Sequence, residues 1–595
     1  MRSALQRWFS RPRAPLGVVA VALLLASPSL TVGLAADDFF HRIILTGAQG
    51  LPWVPEGLGG LFVWADGDPK HGWMFMDVGL VGWWSDPALK LAYARPITAL
   101  THVLDYALWP ETPLLMHVHS LLWFALGLWA LGRLYRRVQV PVGGTLLAVL
   151  SLCLFAIDDA HGLTISWLAN RNALIVLFFG ALCLDTHVRA STEQHSPSRI
   201  VSPLLLACAL GSGEAAVAFC GYLGAYALLL DPRGPRRGLL ALSPHVGVAV
   251  LWAGIYRALG YGASGSGLVV DPVAEPGRFL AMAAVRLPVL LAAQLGIPPA
   301  DLWEFYGTVQ PWLPAVMLGF VVLFVAAVAW LALPLLRERP EARFWAAGTV
   351  LSALPVCAQF AHDRLLMMVG IGGMGLMGML LSAWLANERP PWVRSGRLSL
   401  LWALAFMHLL MGPMLLPLRA RAPSDIARMV ASADASIDSD PGVAERTVVL
   451  VNPPVDAYAG YVPIVRVATA RPRPAHLHWL ATGVSSVAIT REDERTLRVR
   501  PADGFLSMSS ERMQRGDAPM PVGYRVELTE MDVEVTEVGP DGRPAEARMT
   551  FRVPLEHDRL RFMHWEDGAF RPFALPAVGE RVTTDAVDLA GLLPE

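Results

Sequence analysis

Apolar residues run in long blocks up to about residue 420 of this chain and in short alternating stretches after it. The first block, Leu16 to about Ala36, follows Arg2, Arg7, Arg11 and Arg13 and is long enough to cross a bilayer core of about 30 Å at 1.5 Å per residue. Further blocks fall at about 113–132, 141–157, 171–186, 201–212, 215–230, 240–259, 312–336, 344–360, 365–386 and 398–418. With the first they predict about eleven crossings. One more apolar stretch, 279–297, contains Arg286 and Pro288 and ends in Gly-Ile-Pro-Pro, so it is expected to lie in the interface or to dip in and out.

Past about Arg421 the pattern becomes strand-like. RTVVLV (446–451) is closed by Asn452-Pro453-Pro454, and Val484–Thr490 and Thr496–Arg500 follow. Val526, Leu528, Val533, Val535 and Val538 lead into Gly539-Pro540-Asp541-Gly542, after which Met549, Phe551 and Val553 return, a hairpin signature. The expected architecture is an all-α polytopic membrane bundle over 1–420, with a long first loop at 37–112, a linker at 421–445, and a mostly β domain over 446–595 of sandwich or barrel type.

Composition agrees, since 54% of residues are hydrophobic and only 16% charged. The basic head and Ala35-Ala36 also fit a secretory signal peptide, but the many later spans favour a retained first helix. Arg133/Arg136/Arg137, Arg233/Arg236/Arg237, Arg337/Arg339/Arg343 and Arg389/Arg394/Arg397 fall on alternate loops, on the side of the N-terminus. By the positive-inside rule that side is cytoplasmic, which places Asp37-Asp38 and the C-terminal domain outside. The near-neutral net charge of -2 argues against nucleic acid, and no Walker loop supports ATP-driven transport. All five cysteines lie in apolar segments, so no disulfide framework is implied. The C-terminal region carries none of the Gly-rich nucleotide-binding turns or Zn ligand sets that catalysis there would need.

Candidate chemistry starts at Asp37-Asp38, because an ionised pair at the lip of a membrane helix needs water, a partner or a task. The opposite loops collect other acids, among them Asp158-Asp159-Ala160-His161, Asp301 and His362-Asp363-Arg364. Glu214 sits between two short apolar runs broken at Gly211-Ser212-Gly213, a place where an ionisable group should face water. His102, His117 and His119 could line a cavity or hold a metal, although packing is the commoner role of such histidines. Trp53, Trp64, Trp73 and Trp83-Trp84 suit either the interface or stacking on sugar rings.

The ordered stretches YARPITALTHVLDYALW (93–109), LLMHVHSLL (114–122), HGLTISWLANRNALIVLFF (161–179), GSGEAAV (211–217) and LPVCAQFAHDRLLMMVGIGG (354–373), after the acidic pair, resemble the GT-C superfamily of polytopic glycosyltransferases. They look most like the branch of protein O-mannosyltransferases and their tetratricopeptide-bearing relatives, over roughly residues 30–380. The resemblance implies an inverting transfer of sugar from a polyprenyl phosphate to an acceptor hydroxyl, on the outer or lumenal face; the Ala/Arg/Gly-rich style of the chain points to a bacterial inner membrane, where that face is periplasmic. The resemblance maps the catalytic acid to Asp37 or Asp38, with Glu214 positioning donor or acceptor. Arg364, with Asp363 beside it, and Arg95 and Arg171 map to the cations expected to hold the lipid phosphate, and His161 to a family histidine. The relatives often read Ser-Lys-Glu where this chain has Ser212-Gly213-Glu214, and carry an acid where this chain has Leu163. Tetratricopeptide repeats are missing. The missing repeats leave the acceptor open among protein, lipid and glycan, and a divalent metal stays open; Gly213 and Leu163 would fit the alternative, a non-catalytic anchor or a transporter presenting a periplasmic binding domain, but the enzyme is the favoured reading. A transporter should show repeated, matched helix breaks, and only the break at 211–214 stands out.

Overall fold

The computed structural model describes residues 11, 13–193, 196–310, 312–385 and 397–588. Arg2, Arg7, Arg389 and Arg394, used above for sidedness, lie outside the described residues. The chain divides into two compact units. The first comprises Met1–Gly33, Tyr93–Tyr261 and Asp271–Pro423, and the second Leu34–Ala92, Gly262–Val270 and Ser424–Glu595. The predicted first loop is therefore split: residues up to Ala92 belong with the C-terminal region, and the helix Pro96–Leu108 belongs with the membrane unit.

Seven helices of the described residues are long and apolar enough to cross a membrane, or eight if the bent pair Pro235–Ala241 and Ser243–Ala258 is one span. Two shorter apolar helices, Ser196–Leu210 and Glu214–Leu229, match the two short blocks read from sequence. By length and composition the first unit is that of a multi-pass membrane protein. The expected blocks 113–132 and 141–157 fall in one element, Pro113–Ala156, with Gly144 at φ 71°, ψ -176° inside it. A Cβ on Gly132 would lie 3.2 Å from a Leu152 methyl, whereas a straight helix would separate the two by about 30 Å. The helix therefore turns back on itself at Gly144, where the left-handed φ suits glycine.

The stretch expected to dip in the interface is a continuous helix, Pro276–Leu295, despite Pro288. Its start is tied to Arg257 through Asp271 at 2.9 Å, and its end to Asp158 through Gln294 at 2.9 Å. Arg286 is buried and donates to the Cys357 carbonyl at 3.0 Å, which is how the helix tolerates a mid-length charge. The Gly-rich helix Met367–Leu385 is almost wholly buried. Its glycines admit close neighbours; a Cβ on Gly372 would lie 2.6 Å from the Trp345 carbonyl oxygen. At the cytoplasmic end expected from sequence, Arg133 and Arg137 converge on the buried Asp185 at 3.0 and 2.6 Å.

The second unit contains an antiparallel six-stranded sheet whose order is Arg581–Thr584, Val487–Arg491, Thr496–Pro501, Pro544–Phe551, Met531–Val538, Arg525–Glu527. The hairpin predicted around Gly539-Pro540-Asp541-Gly542 is there, with Val533 opposite Met549 and Val535 opposite Ala547. The mostly β character expected of this region is there, but the other large sheet is mixed rather than part of a sandwich or barrel. Leu560–Glu566, Thr447–Leu450 and His476–Trp479 run parallel, and the helix Asp456–Ala468 makes the crossover. Thr447–Leu450 is buried along its whole length, as a central parallel strand must be. Both sheets contribute to one apolar core around Val449, Leu477, Val499, Met549 and Phe562. The residues read as a linker form a helix, Ala422–Ala435, and a short turn, Pro441–Glu445.

Candidate functional site

The loop from Cys357 to Leu366, between the helices Pro340–Val356 and Met367–Leu385, joins two polar clusters of the membrane unit. The first cluster is acidic. Asp363, 5% exposed, accepts the Ala300 N–H at 2.7 Å through Oδ1, and its other oxygen pairs with Arg419. Arg419 also reaches Asp159 at 3.1 Å and Asp301 at 4.0 Å. Asp301 in turn accepts the Asp363 N–H and lies against His362 Nδ1, both at 2.7 Å. Three carboxylates thus share one arginine and one histidine. Burial and the neighbouring Asp158 push Asp159 up to about 6, against the pull of Arg419. Burial and Asp301 push Asp363 up to about 6. Burial acts on Asp301 too, but hydrogen bonding and charge from His362 outweigh it and hold that carboxyl below its usual range.

The second cluster centres on Glu214, at the helix break predicted from Gly211-Ser212-Gly213. Arg95, immediately before the helix opened by Pro96, donates to Glu214 Oε2 at 2.8 Å, and the Tyr256 hydroxyl donates to Oε1 at 3.3 Å. Both charged side chains are partly exposed, 18% for Arg95 and 26% for Glu214. The Arg95 guanidinium also covers the Tyr93 ring at 4.9 Å, and Gln359 donates to the Tyr93 hydroxyl at 3.4 Å. Burial raises the Tyr93 hydroxyl, with Gln359, Arg95 and Arg364 opposing, so both arginines lie within electrostatic reach of it. The Arg364 guanidinium lies over the rings of Trp167 and Phe360 at 5.4 and 5.5 Å. At Gly213 a Cβ would come within 3.0 Å of the Asn172 amide. Arg95 is the cation beside Glu214.

Of the residues expected to act, Glu214, Arg95, Arg364 and Asp363 are therefore distributed around one loop of the membrane unit. Arg171 is fully buried, pairs with Asp105 at 2.5 Å, and donates to Ser120 Oγ at 2.9 Å and the Met116 carbonyl at 2.8 Å. His161 is fully buried with its ring against Phe155 at 4.5 Å. Among the histidines offered for a metal, His119 lies 2.6 Å from Asp105 and His117 2.8 Å from the Gly33 carbonyl. Trp83 and Trp84 are core residues of the second unit, packed on Phe505, rather than sugar platforms.

Asp37 and Asp38 open the helix Asp37–Thr46 of the second unit, directly after Ala36 at φ 47°. They differ in environment. Asp38 is 3% exposed and accepts the Ala35 N–H at 3.0 Å, whereas Asp37 is half-buried and accepts the Tyr461 hydroxyl at 2.7 Å. Sequence reasoning gave no role to Tyr461, Tyr256 or Arg419, nor to Tyr93 and Trp167 within the stretches quoted above. The only signal for Arg419 was its place at the end of the last apolar block.

No protein-family model and no curated protein matches this chain. Among solved structures, the chain is similar to the Archaeoglobus fulgidus oligosaccharyltransferase, solved tethered to an acceptor peptide containing the NVT sequon. The identity is 13% and the TM-score 0.37, over 80% of this chain and 65% of the archaeal one. A likeness of that size defines neither family nor activity.

Proposed function

We propose that this protein is a membrane glycosyltransferase that moves a sugar from a polyprenyl-phosphate donor to an acceptor hydroxyl at the periplasmic face, with inversion. The observation that carries this reading is the arrangement of Arg95, Glu214, Arg364 and Trp167 at the ends of apolar helices. A lipid-linked phosphate needs guanidinium forks at the edge of the apolar region, a sugar ring suits an aromatic face, and a carboxylate orients hydroxyls. In a single displacement the acceptor oxygen bonds to the anomeric carbon as the bond to the phosphate oxygen breaks. The acceptor proton passes to a carboxylate, and the phosphate leaves with its charge offset by arginine. Of the two acids assigned as base by the resemblance, we take Asp37, because Asp38 is buried and holds a backbone N–H. The acceptor, whether protein, lipid or glycan, is not specified by this reading.

The competing reading is a membrane anchor presenting the second unit as a binding module. It gains from the bond of Asp37 to Tyr461, which gives that carboxylate a structural task. Purified full-length protein with a radiolabelled polyprenyl-phosphate sugar separates the two. Release of sugar that falls at least about 100-fold in Asp37→Asn, and in Arg364→Ala, while Asp38→Asn mainly loses stability, supports the transferase. Release that is absent from the wild type, or unchanged in all three variants, overturns it.

A further inference from the structure

The second unit brings together three metal-ligating side chains with no role in the proposed transfer. Asp77 ends the helix Pro69–Asp77, and His476 and His478 belong to the strand His476–Trp479. Residues two apart on a strand face the same way, so both imidazoles project from one side of the sheet. Each side chain offers a ligand atom within 4.8 Å of the other two. His476 Nδ1 lies 3.0 Å from Asp77 Oδ2, and the two imidazoles are nearly parallel, 17° apart in plane with centroids 5.9 Å apart. The carboxylate is held from behind: Thr529 donates its N–H to Asp77 Oδ1 at 2.7 Å and its hydroxyl to Oδ2 at 2.8 Å. Such support orients a ligating carboxylate.

His478 is the second, independent observation. It is 1% exposed, and among the described residues neither of its ring nitrogens has a hydrogen-bond partner. Buried polar atoms are ordinarily satisfied, and a buried imidazole whose nitrogens have no hydrogen-bond partner, beside a carboxylate and a second imidazole, has a lone pair to offer a metal ion.

We propose that Asp77, His476 and His478 bind a divalent transition-metal ion of the zinc class, joining the helix Pro69–Asp77 to the parallel sheet of the second unit. Two imidazoles and one carboxylate favour zinc-like over magnesium-like ions, which prefer oxygen alone. Bonds of about 2.0–2.2 Å require the ligand atoms to close from their present spacing by side-chain rotation. Three protein ligands leave a fourth position for water or a small anion. No local motif announces this site because Asp77 stands 399 positions before His476.

The test uses the detergent-purified full chain, stripped with chelator and dialysed against Zn2+, then against Mg2+, with bound metal counted by mass spectrometry. The expected result is one equivalent of Zn2+ and none of Mg2+, with loss of that equivalent in His478→Ala and in the more exposed His476→Ala. Co2+ loading should add the visible absorption of a tetrahedral nitrogen and oxygen site, absent from Asp77→Asn. If His478→Ala does not fold, His476→Ala and Asp77→Asn carry the same comparison. Zn2+ retained at wild-type stoichiometry in folded His476→Ala and Asp77→Asn, or no Zn2+ on the wild type, overturns the proposal.

Discussion

Arg171 gives the sharpest test of the membrane unit, because it was expected from sequence to hold phosphate while its buried contacts give it the work of a lock. Both Arg171 and Asp105 are completely buried, their charged atoms 2.5 Å apart, and the pair joins the helices Arg171–Thr192 and Pro96–Leu108. His119 adds a 2.6 Å contact to the same carboxylate. Removing one partner of a buried pair leaves an uncompensated charge, so Asp105→Leu and Arg171→Met should each cost about 3–5 kcal/mol. Replacing both removes the charges together. What remains is the loss of the Arg171 bonds to Ser120 Oγ and the Met116 carbonyl, about 1–3 kcal/mol. The double variant should therefore be more stable than either single one, with a coupling of at least about 2 kcal/mol. Unfolding of the full chain in mixed micelles, followed by tryptophan fluorescence, measures all four corners of the cycle. Single costs below about 1 kcal/mol that simply add would refute the lock. So would loss of sugar release in Arg171→Met at unchanged stability.

Three further outcomes follow from particular contacts. Glu511 in the second unit is pushed up to about 7 by burial, against hydrogen bonds from Thr482 and the Met508 N–H. A raised carboxyl favours the protonated folded state, so its stabilising effect is full below about pH 4.5 and is lost as pH rises through about 7. The loss is on the order of 3 kcal/mol, and Glu511→Gln should flatten that part of a stability profile measured by chemical denaturation; an unchanged slope would contradict the assignment. Gly372→Ala drives a Cβ to within 2.6 Å of the Trp345 backbone and should cost about 1–3 kcal/mol, whereas Gly319→Ala, with open space at its Cβ, should not lower the melting temperature. Glu214→Gln should weaken the pair with Arg95 and lower sugar release with little change in melting temperature, since both side chains are partly exposed. Equal losses of melting temperature and release would instead mark the pair as structural.

The apolar blocks by themselves determined that the first unit is a multi-pass membrane protein, because a span is a local property of some twenty consecutive residues. Alternation and turn residues likewise located the strands near 447, 487 and 496 and the hairpin at 539–542, since a hairpin is closed by neighbours in sequence. The break at 211–214 was legible for the same reason. Tertiary structure alone decided which charges matter. Arg171 and Arg95 read alike in sequence, each near the start of a helix, yet one is sealed against Asp105 and the other stands at a partly exposed carboxylate. The parallel pairing of strands Thr447–Leu450 and Leu560–Glu566, the return of residues 34–92 to the C-terminal region, and the gathering of Asp77 with His476 and His478 were equally beyond a sequence reading. Each joins positions far apart along the chain, and such pairings follow from which buried surfaces fit together, a property that no local window of sequence contains.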